Sequence, residues 1–105
     1  MKASELAERI AANRAPTVID ARSGMEFHHG HIPGAIHAPV LKILLKRARL
    51  PEDRKTELVI TCEHGPRAMM AKRCLAAYGY RNATLLAGHM LGWRRAGLPL
   101  EEGAR

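Results

Sequence analysis

Cys62 is the residue with the clearest chemical potential in this chain, in the run Leu58-Val59-Ile60-Thr61-Cys62-Glu63-His64-Gly65-Pro66-Arg67. A nearly unbroken β-type stretch leads into it, and Pro66, suited to the first position of a helix, follows. The cysteine therefore stands in a loop between a strand and a helix. Amides at a helix start lack intrahelical acceptors and the dipole is positive there, so a thiolate, the reactive form of the side chain, is stabilised. Gly65 lets the loop turn so that successive amides face inward as an anion-binding nest. Cys62 is accordingly the candidate nucleophile, and Glu63, His64, Gly65, Pro66 and Arg67 are candidate substrate-binding residues. A buried structural thiol is the competing reading, against which the glycine, the proline and Arg67 weigh. For Cys74 packing is favoured, because it falls in helical phase with Met70, Leu75 and Tyr78.

Holding such a loop takes α/β layers, and the rest of the chain alternates short apolar runs with amphipathic stretches in that manner. Ser4 is placed to cap a helix carrying Leu6, Ala7, Ile10 and Ala11 and ending near Asn13. Thr17-Val18-Ile19 reads as a strand, Ala35 to Ala38 as a brief second one, and Ala83 to Leu86 as another. Val40 to Arg49 reads as a helix with Leu41, Leu44, Leu45 and Ala48 inward and Lys42, Lys46 and Arg49 in solvent. Arg67 to Tyr78 continues the helix after the loop until Gly79, and His89 to Ala96 forms a last short one. The expectation is one domain over residues 1–105, a length that supports a single core. Hydrophobic residues are 47% and charged residues 26% of the chain, so neither disorder nor a fibrous repeat is indicated.

Seventeen basic against ten acidic side chains leave a formal charge of +7, which attracts anions. With Phe27, Tyr78, Tyr80 and Trp93 as its aromatic residues, the chain has few stacking platforms, and no nucleic-acid partner is expected. No apolar run approaches a membrane span, the N-terminal stretch lacks a signal-peptide core, and two cysteines make no disulfide framework. A cytoplasmic protein with reduced thiols and no membrane association is expected.

Four pieces, in order, resemble a single-domain rhodanese, a member of the rhodanese homology superfamily of sulfurtransferases. They are Val18-Ile19-Asp20-Ala21-Arg22 with Glu26-Phe27, Gly30-His31-Ile32-Pro33-Gly34-Ala35, the Cys62 to Arg67 loop, and Leu86-Ala87-Gly88 with Trp93. The likeness runs from Ser4 to about Leu100. It implies a three-layer α/β/α fold around a five-stranded parallel sheet in strand order 3-2-4-5-1, with Lys2-Ala3 as an edge strand that local sequence hardly reveals. It further implies a persulfide on Cys62, formed from a small anionic sulfur donor such as thiosulfate and passed to cyanide or to a thiol acceptor, a thioredoxin-like protein or glutathione. No cofactor is implied.

Four residues separate Cys62 from Arg67, whereas the phosphatases and arsenate reductases that resemble this fold have five. The smaller ring of amides suits a terminal sulfur better than a tetrahedral phosphate. A phosphatase-like or arsenate-reducing enzyme and a non-catalytic binding module stand as the alternatives. Glu63 departs from what a dianionic donor would favour, with Arg67 and the overall charge opposing it and His64 a further proton or charge source in mild acid. Ala68 replaces a hydroxyl found in many relatives. His89, where a second glycine is frequent, reads as a cap or surface residue in preference to a place at the pocket rim. Asp20 and Arg22 read as structural support, paired with each other or with Glu26, and Trp93 reads as packing. His28, His29, His31 and His37 lie close together, but no cysteine or carboxylate completes a tetrahedral set, so no metal is expected.

Overall fold

The computed structural model describes residues 1–103. The elements follow as α1 (Ala3–Ala11), β1 (Thr17–Asp20), α2 (Gly24–His29), β2 (Ile36–His37), α3 (Val40–Leu44), β3 (Leu58–Thr61), α4 (Pro66–Ala77), β4 (Ala83–Leu85) and α5 (His89–Arg95). The strands form one parallel sheet in the order β2-β1-β3-β4. In register, Val18 lies beside Val59, Ile19 beside Ile60 and Asp20 beside Thr61. Every residue of β3 is buried, as a central strand covered on both faces requires.

Alternation along the strands divides the core in two. Ile19, Leu58 and Ile60 pack with Ile43 of α3 and with Ala68, Ala71 and Leu75 of α4. Val18 and Val59 face the other way, toward Leu6 of α1, Phe27 of α2, and Met90 and Trp93 of α5. The result is the expected three-layer α/β/α arrangement. The chain after α5 returns to run antiparallel to His31, whose amide and carbonyl exchange bonds with Glu101 at 2.9 and 2.8 Å.

The sheet departs from expectation at one edge, having four strands among the described residues rather than five. Lys2-Ala3 is not a strand: Lys2 is the extended residue before α1 and Ala3 is already helical. Met1 alone occupies the outer side of β4, its amino group donating to the Leu85 carbonyl at 2.9 Å and its carbonyl accepting from Ala87 at 2.8 Å. Ser4 therefore lies inside α1 and caps nothing. The remaining strand order agrees with 3-2-4-5.

Two helices also differ. α3 ends at Leu44 rather than Arg49, because Lys46 takes a left-handed φ of 56° and the Arg47 amide closes back on the Lys42 carbonyl. A helix this short sends Ile43 inward, so Leu41, Leu44 and Leu45 are exposed. α2 was not foreseen, although Ser23 and Glu26 form a capping box at its start, the Ser23 side chain accepting from the Glu26 amide.

Candidate active site

β1 and β3 run parallel and end side by side, which brings Asp20 and Thr61 level and delivers the segments after them to one end of the sheet. Cys62 follows Thr61 directly and is fully buried. Its carbonyl accepts from Met90 at 3.0 Å and the Glu63 carbonyl accepts from Leu91 at 3.1 Å, so the loop is fastened to the start of α5. The Gly65 amide points at the Cys62 sulfur, 3.0 Å from Sγ. Gly65 manages this with φ of 135° and ψ of −49°, a conformation that L side chains rarely adopt. Pro66 opens α4 behind it, so the helix start faces the sulfur.

His89 belongs to this assembly, which corrects its reading as a cap or surface residue. Held at φ 49°, it places Nδ1 to accept from the Cys62 amide at 3.3 Å, with Thr61 Oγ1 at 3.5 Å. An accepting Nδ1 leaves the proton on Nε2. Burial, reinforced by His64, holds the His89 imidazole below its ordinary pKa and so favours that neutral form.

Charges surround the loop in matched pairs. Buried Arg22 grips Asp20 through Nε at 3.0 Å and Nη2 at 2.9 Å, and donates to the Gly30 carbonyl at 2.7 Å, fixing the turn between α2 and β2. Glu26 does not join that pair. It holds Arg67 through both oxygens, at 2.6 and 2.9 Å, so this guanidinium ties α4 to α2 instead of pointing free into the loop. The Arg67 bond, with help from Ser23, brings the Glu26 carboxyl down to about 2. Glu63 turns sideways to Arg94 on α5, one contact at 3.0 Å, and lies 3.6 Å from Arg22. Those arginines, Arg94 foremost, hold its carboxyl below the usual range. His64 and Pro66 are exposed.

Two clefts flank the loop. One is mostly apolar, lined by Ala21, Pro39, Val40, Pro66 and Met70 together with Ser23 and Arg67. The other carries the charged groups Arg22, Glu26, Glu63 and Arg94, with His29, Gly30 and Leu100 completing its lining. Arg94 and the pairing role of Glu26 gave no local signal in the sequence. Cys62 and Cys74 are both free thiols, Cys74 half-buried against the α4 side of the core. Met70, expected in phase with it, is exposed. His31 stacks on Phe27 at 3.7 Å and His37 bonds the Arg22 carbonyl at 2.8 Å, which gives these two histidines structural roles. Among the described residues no group of three or more potential ligands is placed to hold a metal ion, and no helix is long and apolar enough to cross a membrane.

Comparisons with known proteins agree with this geometry. A family model, the rhodanese-like domain, matches residues 2–96. A sulfurtransferase of Allochromatium vinosum is 33% identical over 90% of this chain and 87% of its own length. An HTH-type transcriptional regulator of Mycobacterium tuberculosis, Rv0324, is 38% identical over 96% of this chain, which spans 44% of that protein. Among solved structures, a rhodanese-related protein from Thermoplasma volcanium superposes with a TM-score of 0.79 at 29% identity, covering 96% of this chain and 95% of its own. From its cysteine loop to its sheet order, this chain belongs to the rhodanese-like domain family.

Proposed function

We propose that the protein is a sulfurtransferase that carries sulfur as a persulfide on Cys62. The observation that supports this most directly is the Gly65 amide 3.0 Å from the Cys62 sulfur, at the start of a helix and inside a loop of four residues between Cys62 and Arg67. In the first half-reaction the thiolate attacks the outer sulfur of a donor such as thiosulfate. The donor's sulfur–sulfur bond breaks and sulfite leaves with the bonding electron pair. In the second, an acceptor thiolate attacks the outer sulfur of the persulfide and Cys62 departs as the thiolate. Negative charge rests on sulfur in both steps, and the loop amides and helix dipole stabilise it there.

The acceptor in this reading is a thiol, a thioredoxin-like protein or glutathione, with cyanide serving in the assay. The apolar cleft beside Pro66 gives a bulky thiol somewhere to rest its non-reacting part. Because Cys62 is fully buried, a donor must part the groups above it before sulfur meets sulfur.

Intact-mass spectrometry after exposure to thiosulfate is the test. Wild type is expected to gain the mass of one sulfur atom, mapped to Cys62, and to lose it on adding cyanide as thiocyanate appears. Cys62→Ser is expected to do neither. Undiminished thiocyanate formation by that variant would overturn the assignment.

A further inference from the structure

We propose that Glu63, held between Arg94 and Arg22, sets the sulfur-donor preference of Cys62 toward persulfides of low charge and away from dianionic thiosulfate. The inference rests on Cys62 being the sulfur-carrying nucleophile and adds what selects its donor.

Three guanidinium groups border the loop, and each has a carboxylate. Arg22 meets Asp20 at 2.9 Å, Arg67 meets Glu26 at 2.6 Å, and Arg94 is taken by Glu63. Within these pairs three positive charges are matched by three negative ones, so none of the three arginines bordering the loop stands as an uncompensated cation for a dianionic donor. Glu26 and Glu63 both have lowered pKa values and stay ionised at neutral pH, while His89 is favoured neutral and adds no compensating charge. A dianion in the cleft lined by Arg22, Glu26, Glu63 and Arg94 must either lie beside Glu63 and Glu26 or draw an arginine away from its carboxylate. Both are unfavourable, and the effect of one such charge scales with the charge of the donor.

A persulfide of an uncharged thiol brings at most one negative charge to the reacting end. The Cys62 thiolate attacks its outer sulfur, the sulfur–sulfur bond breaks, the electron pair leaves with the original thiol as thiolate, and the proton stays on the transferred sulfur. No oxidant or reductant is consumed. The mostly apolar cleft on the other side of the loop, with Val40, Pro66 and Met70 uncharged and Arg67 already paired with Glu26, suits the remainder of such a donor.

The decisive measurement is the rate of Cys62 persulfide formation, read by intact mass, with thiosulfate and with the persulfide of N-acetylcysteamine. Glu63→Gln leaves Arg94 and Arg22 less neutralised. It is expected to raise the thiosulfate-to-persulfide rate ratio by about threefold to tenfold, diminishing as salt is added. Arg94→Gln removes a cation instead and is expected to lower the same ratio. Opposite signs are the signature, since mere damage to the loop would slow both donors in both variants. An unchanged ratio in Glu63→Gln, or ratios moving in the same direction in both variants, would overturn the proposal. Failure of both donors to load wild-type Cys62 would instead remove the sulfur-transfer reading beneath it.

Discussion

Arg67 shows how far a side chain's role depends on residues distant in sequence. From the chain alone it is a cation five places after the cysteine, available to an anionic substrate. In the fold its charge is committed to Glu26, 41 residues earlier. Nothing local announces that partner, so the place of the cysteine between strand and helix was legible and its electrostatic setting was not. The pair makes a prediction about acid stability. Glu26 titrates near 2 in the folded state against 4.5 ordinarily, so its contribution is complete above pH 4.5 and is lost as pH falls through about 2. Both side chains are about one-third or more exposed, which limits the pair to about 1 kcal/mol. Glu26→Gln is expected to lower the melting temperature at pH 7 and to flatten its dependence on pH between 4.5 and 2, as thermal unfolding followed by circular dichroism will show.

At the level of elements, legibility followed the length of the signal. β3 and α4 were visible because four buried residues in a row and a proline-started helix are strong local patterns. β2 is two residues long and α3 five, too short for periodicity to fix their ends or their inward face. That is why Leu41, Leu44 and Leu45 were assigned to the core while Ile43 occupies it. The Cys62 loop tests the same principle from the other side, since its shape depends on one backbone conformation. A methyl group on Gly65 would meet His89 Nε2 at an ordinary 3.6 Å, so space is not the obstacle. The φ of 135° is, and Gly65→Ala is expected to cost about 1 to 3 kcal/mol or to turn the amide off Cys62. Denaturant unfolding measures the first outcome, and slower persulfide formation with unchanged stability measures the second.

For the molecule as a whole, one thin sheet serves two hydrophobic clusters, and adjacent residues of β1 and β3 belong to opposite ones. Neither cluster can dissolve without baring a face of the strands that support the other. Leu6→Ala, beneath α1, and Leu75→Ala, beneath α4, are each expected to cost about 2 to 5 kcal/mol while preserving a single transition. Coincident fluorescence and circular-dichroism curves check this, and two separable transitions would contradict it. The α/β class was readable beforehand, because buried strands alternating with helices carry their own pattern, whereas the layering and strand order came from the resemblance to rhodaneses. The edge was not, since Met1 holds its place through backbone groups that no side chain advertises. That single residue has a further consequence. A bare strand edge is a template on which another chain can pair and begin to aggregate. By engaging the Leu85 carbonyl and the Ala87 amide, Met1 withdraws the site-proximal end of β4 from such pairing.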